Sequence, residues 1–209
     1  MSTPEMTTLN ATPRIGSGKG VSRKLRASGR IPVVCYGHEA ESTSLSVAPG
    51  DLRAILTGPF RRNSVFSLQV EDGPSFRHVM VKDYQIDPVR RTLLHADLIV
   101  VDPEKTLPVV VPVEPIGISP DMKTGGLLQR VRASIRLYTL PTAIPVVVNH
   151  DVSEMAIGQS VLGSDLAIPE GMVWADKVDY AVFQLIAPRG VEAAEEGEDE
   201  EEAPAEEDA

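Results

Sequence analysis

Six cations and no carboxylate lie between Met6 and His38: Arg14, Lys19, Arg23, Lys24, Arg26 and Arg30. A block of one sign sets up a local positive potential, which a surface that meets phosphates requires. Its densest part is SGKGVSRKLRASGRIPVVCYG, residues 17–37. Gly16, Gly18 and Gly20 make a flexible loop whose backbone can approach a partner closely. A short helix is predicted over 21–28, with Val21 and Leu25 four apart and Gly29 ending it. Its first amides add a weak positive pole, and Arg23, Lys24 and Arg26 run along it. Arginine suits phosphate because its planar fork bonds two oxygens at once. The loop is not a nucleotide P-loop, since Lys19 precedes Gly20 rather than Ser or Thr and no apolar strand leads into it. A solvated basic loop and helix with no ligand has the same composition.

The second group lies in VMVKDYQIDPVRRTLLHADLIVV, residues 79–101, which reads as strand, loop, strand. A period of two puts Leu94, Ala96 and Leu98 on one face and His95 and Asp97 on the other. Across a hairpin, Asp83 and Gln85 come near that polar pair. Gln, His and Asp offer donors and acceptors with little net charge. They suit base edges and 2′-hydroxyls in the wide, shallow RNA minor groove, whereas Lys and Arg grip phosphate. The solvent face of a one-sided antiparallel sheet has the same pattern. Tyr36 follows the strand residues VVC. It suits stacking on a base or ribose, and equally a core position with its hydroxyl at the rim.

Catalytic chemistry finds no support. His38, His78, His95 and His150 form no HExxH or Cys/His metal spacing. Cys35 sits inside an apolar run and reads as packing, and no GxSxG elbow is present. His95 and Asp97 have no nucleophile or metal site beside them in sequence. No enzyme, cofactor, metal or small-molecule substrate is expected.

The elements that must position these residues are mostly strands. Aromatics make up only 4% of the chain, so a core must be built from Val, Ile and Leu. Seventeen prolines and sixteen glycines favour many turns over long helices. Strands are predicted over 31–36, 65–70, 78–85 and 94–101, with a second helix over 51–56 that stops before Gly58-Pro59. Asp102-Pro103 opens a second region, 102–190, rich in β-branched runs: PVVVPV, SIRLY, IPVVV, MVW and YAVFQL. It reads as a mostly antiparallel β domain. Residues 191–209 carry eleven carboxylates and no cation, and are expected to be disordered. The net charge of −10 therefore misleads, because residues 1–101 hold 13 Lys/Arg against 9 Asp/Glu. One cysteine excludes an internal disulfide and fits a reducing compartment. The chain shows no secretory signal and no apolar run of the roughly 20 residues that span a bilayer. A soluble cytoplasmic protein without membrane contact is expected.

The strings GKGVSRKLRASGRIPVVCYG and VKDYQIDPVRRTLLHADLIVV resemble the CTC family of bacterial large-subunit ribosomal proteins. This group is often called ribosomal protein L twenty-five, and the general stress protein Ctc is among its members. Downstream, LPVVVPVEPIG, GGLLQRV, IPVVVNHDVSEMAIGQSV and SDLAIPEGMVW resemble the carboxy-terminal β domain of its longer members. Together the likeness covers about residues 8–188. It implies an N-terminal β-barrel with short helices over 1–101, similar to the anticodon-binding domains of glutaminyl-tRNA synthetase. A second β-rich domain and an acidic tail would follow. It implies binding of 5S rRNA, at an irregular internal loop, within the central protuberance of the large subunit. Carried over by position, the RNA contacts would be Arg14, Lys19, Ser22, Arg23, Lys24, Arg26, Tyr36, Gln85, His95 and Asp97. Some members have Arg where this chain has Lys24, which weakens a bidentate grip there. The shortest members lack the second domain, so basic 5S binding does not need it. A tRNA-handling module, suggested by the synthetase-like barrel, is the alternative. A protein-interaction factor acting through the second domain and tail is a third reading.

Overall fold

Aliphatic side chains at every second position set the architecture. The computed structural model describes residues 7–37, 40–71, 73–169, 171–176 and 178–187. His38 and the acidic tail, with its expected disorder, lie outside the described residues. The chain divides into two compact units. One is built on residues up to 110 with 138–146 and 171–173, and the other on 111–137, 147–170 and 174 onward.

The first unit contains β1 (Thr8–Pro13), α1 (Lys19–Ala27), β2 (Ile31–Gly37), β3 (Ala40–Val47) and α2 (Pro49–Thr57). A single 3-10 turn (Arg61–Asn63), β4 (Phe66–Val70), β5 (Phe76–Ile86) and β6 (Leu93–Val100) follow. The six strands close into a barrel in the order β1-β3-β2-β6-β5-β4. Closure leaves no strand edge unpaired. The pairs β1/β4 and β2/β6 are parallel, and the others are antiparallel. The expected mostly β fold, a barrel with short helices and then a β-rich region, is what the chain adopts.

The barrel core encloses Leu9, Val33, Leu45, Phe66, Leu68, Val79 and Leu98. Each such side chain contributes about 1.5–3 kcal/mol on leaving water. Helix α2 adds Leu52 and Ile55, with Leu56 packed beside them, as its spacing predicts. Cys35 is fully buried, as expected of packing. Burial pushes its thiol up to about 11, so it is a poor nucleophile at neutral pH.

Strands β1 and β3 were not anticipated. Their sequences, TLNATP and AESTSLSV, are half polar, and only Leu9, Ala11, Leu45 and Val47 point inward. The polar half is used where it is buried. Ser46 Oγ lies 2.6 Å from Thr12 Oγ1, and Arg30 donates from Nε to Ser46 Oγ (3.2 Å) and from Nη2 to its carbonyl (2.9 Å). At the end of β2, Gly37 has φ +133, and a β-carbon there would stand 2.5 Å from the Val100 carbonyl oxygen. Only glycine lets β2 run this close to β6.

The later strands are β7 (Leu107–Ile116), β8 (Leu127–Arg130) after the short α3 (Pro120–Lys123), β9 (Ser134–Thr139) and β10 (Val148–Asp151). β11 (Ser160–Leu162), a 3-10 turn (Gly163–Asp165), β12 (Val173–Trp174) and β13 (Ala181–Ile186) complete the order. They form a four-stranded sheet, β10-β7-β9-β12, and a three-stranded sheet, β11-β13-β8. The three-stranded sheet is antiparallel, but β10 runs parallel to β7. This pair is an exception to the mostly antiparallel expectation. The long connection from β7 to β10 allows it, since a parallel pair needs a crossover of a dozen or more residues. Of IPVVV, only Val148 enters a strand, because Pro145 cannot donate to a ladder. Val111, Val113, Ile135, Leu137, Phe183 and Leu185 are buried in the second unit. No helix among the described residues is long and apolar enough to cross a membrane.

Candidate nucleic-acid interface

Helix α1 places no residue in the core, and Lys19, Arg23, Lys24 and Arg26 are all exposed. At ~3.6 residues per turn, Lys19, Arg23 and Arg26 form one stripe, with Ser22 at its border. The half-buried Leu25 lies on the opposite side. Gly18 opens the helix at φ +102 with no side-chain cap, and the first turn carries no acid. Its leading amides are thus left to an outside acceptor. At the other end Arg26 Nε donates to the Leu94 carbonyl at 3.0 Å, tying α1 to β6.

Arg14 comes in from β1. Its Nη1 lies 3.4 Å from Ser22 Oγ, its backbone N–H bonds the Ser44 carbonyl, and its Nε is buried without a partner among the described residues. An open groove follows, lined by Arg14, Lys24, Ser28, Arg30 and Ser46. Lys24 therefore turns toward the groove and away from the Lys19–Arg23–Arg26 stripe. Arg30 is spent on Ser46 and braces β3 rather than standing free.

Strands β5 and β6 carry the polar face. Register pairs Asp83 with Asp97 and Gln85 with His95. His95 Nδ1 lies 3.1 Å from Asp97 Oδ1, with the two side chains 28% and 37% exposed. Asp83 opposite Asp97 sets like charges face to face, an arrangement that costs stability unless countered. Arg62 counters it from the 3-10 turn, with Nη2 3.4 Å from Asp83 Oδ1. The same guanidinium bonds the Lys82 carbonyl and sits 5.8 Å over the Tyr84 ring. Tyr84 packs inward against the barrel core, so Arg62 is held at three points.

On β2, Val33 and Cys35 point into the barrel, so Val34 and Tyr36 point outward. Val34 pairs with Asp97, and Tyr36 pairs two places on with Ile99. Tyr36 thus extends the row of His95 and Asp97, half-buried at its far end. Its rim position fits either use open to it from the sequence.

Among the described residues no cluster of His, Cys, Asp or Glu is arranged to hold a metal ion. The site therefore offers cations, amides and a polar strip.

Residues 9–98 match the Ribosomal L25p family, and residues 106–189 match the ribosomal protein TL5 C-terminal domain. A relative in Anaeromyxobacter dehalogenans strain 2CP-1, named large ribosomal subunit protein bL25, is 39% identical over 89% of this chain and 77% of its own. Its namesake in Syntrophotalea carbinolica is 38% identical over 91% of both chains. That in Sorangium cellulosum is 36% identical over 94% of this chain and 86% of its own. The chain belongs to the bL25 family.

In this bL25 chain Gln85, His95 and Asp97 stand in one patch, and Arg26 ties Lys19, Ser22 and Arg23 to its edge. Arg14 joins through Ser22, while Lys24 lies on the groove side. Arg62 escaped the sequence reading. Its only sequence signal is the Arg61-Arg62 pair after a Gly-Pro turn, and its partner Asp83 is 21 residues away. The hairpin reading also shifts at one point. Leu93, not Leu94, enters the core, because the register slips between Gln85 and Ile86.

Proposed function

We propose that this chain binds 5S rRNA as a structural component of the bacterial large ribosomal subunit. The α1 stripe grips backbone phosphates, and Gln85, His95 and Asp97 read base edges and 2′-hydroxyls in a minor groove. Membership in the bL25 family supports a place in the large subunit, and with it a structural rather than an enzymatic role on cytoplasmic ribosomes. The observation that carries the reading is the Arg26–Leu94 hydrogen bond. It fixes an acid-free cationic helix beside a polar strip, so one rigid body presents affinity and selectivity together. Lys19, Ser22 and Arg23 add contacts along α1, Arg14 and Lys24 add them at the groove, and Tyr36 adds one at the far end of the strip.

The test is binding of the full chain to 5S rRNA with bulk tRNA as competitor, across a salt series. The expected result is preference for 5S rRNA, a slope of about −0.7 to −0.9 per phosphate in log–log form, and protection of one internal loop from nuclease. Equal displacement by tRNA would sink the 5S assignment and raise the tRNA-handling reading.

A further inference from the structure

Arg61 and Arg91 both hold left-handed backbone, at φ 51 and φ 54. That conformation suits glycine or asparagine, and the β-carbon of arginine makes it strained. Strain retained at an exposed position points to a side chain kept for use. Both residues are exposed, and neither guanidinium has a partner among the described residues. Helix α2 links the two positions, since it packs against the 3-10 turn that holds Arg61 and its Arg53 holds Arg91. Arg53 Nη2 donates to the Arg91 carbonyl at 3.0 Å, and Arg62, next to Arg61, bonds the Lys82 carbonyl. Arg90, also exposed, adds a third cation in the β5–β6 loop, and its charge also acts on Asp87. The acid of that loop, Asp87, is turned back on the Val89 and Arg90 amides at 2.9 and 3.0 Å.

The placement is two-sided. In the barrel order β2-β6-β5-β4, α1 packs beside β2 and bonds the Leu94 carbonyl of β6 through Arg26, whereas the 3-10 turn packs beside β5. The polar strip on β5 and β6 therefore has α1 on its β2 side and the 3-10 turn on its β5 side, and the loop that carries Arg90 and Arg91 closes one end of it. An RNA minor groove is bounded in the same way, by one backbone on each side.

We propose that Arg61, Arg90 and Arg91 form a second phosphate-binding face that takes the opposite strand of the same RNA. The protein then straddles a groove, with α1 on one backbone and this face on the other. The inference rests on the RNA reading above and adds which strand is held by what.

The experiment is the full chain carrying R61Q, R90Q and R91Q, titrated with 5S rRNA from about 50 to 300 mM KCl beside wild type and R23Q. Each lost phosphate contact lowers the slope by about 0.7–0.9. The triple variant should lose about two units, with no drop in Tm, since glutamine suits the left-handed backbone no worse than arginine. Hydroxyl-radical footprinting should show the triple variant losing protection on one strand and R23Q on the other. A wild-type slope and footprint in the triple variant would overturn the second face alone. Loss of protection on the same strand as R23Q would overturn the straddling geometry. A wild type that shows no preference for 5S rRNA would bring down the functional reading and this inference together.

Discussion

His95 Nδ1 stands 3.1 Å from Asp97 Oδ1 along the outward row of β6. With Nδ1–H donating to the carboxylate, the ring is held in place and Nε2 is left for another partner. Asp97 keeps a second oxygen for an exposed amino group such as that of guanine in a minor groove. A carboxylate beside RNA is thereby made useful rather than merely repulsive.

Asp97→Ala should remove both effects. Its expected cost is about 1–3 kcal/mol on 5S rRNA and little on a random duplex. Parallel titrations of the two RNAs measure the difference, and equal losses on both would refute the reading role.

Arg23→Ala should behave in the opposite way. Arg23 is exposed on α1 and bonds nothing within the described protein. Its loss should lower affinity evenly across RNAs and reduce the salt slope by about one unit. Thermal melting should be unchanged.

Arg26 has two jobs, and Arg26→Lys separates them. Lysine keeps the charge but lacks the Nε that bonds the Leu94 carbonyl. The salt slope should hold, while amide exchange through residues 22–29 speeds up. Exchange at the wild-type rate would show that this bond does not hold the helix.

Ser46→Ala tests the buried polar seam. It strips Arg30 Nε of an acceptor and Thr12 of its hydroxyl partner. A cost of about 1–3 kcal/mol in denaturant unfolding is expected.

Acid should loosen the β5–β6 loop. The Arg90 backbone N–H, then that of Val89, holds the Asp87 carboxyl below its usual range, against a smaller desolvation effect. A folded-state pKa below the unfolded one means the contribution is present above about pH 4 and fades as pH falls through the folded value. Amide exchange at Val89 and Arg90 should rise over that interval in wild type. In Asp87→Ala it should already be fast at neutral pH.

What was legible in the sequence is local and periodic. The acid-free run from Arg14 to Arg30, the helix ending at Gly29 and the alternation around Ala96 and Leu98 need only neighbours in the chain. The steric and electrostatic rules behind them act over a few residues. Strands β1 and β3 were hidden because half their residues are polar, and they become strands only when β2 and β4 pair with them. The swap of Leu93 for Leu94 came from a register slip that no single strand encodes. Arg30 looked like a free cation until β3 brought Ser46 beneath it, and Arg62 meant nothing until closure of the barrel set it against Asp83 and Tyr84. Composition and spacing thus establish which groups this protein owns and which short elements carry them. Which groups stay free and which are spent on one another depends on contacts between residues far apart in the chain, which exist only once the barrel closes.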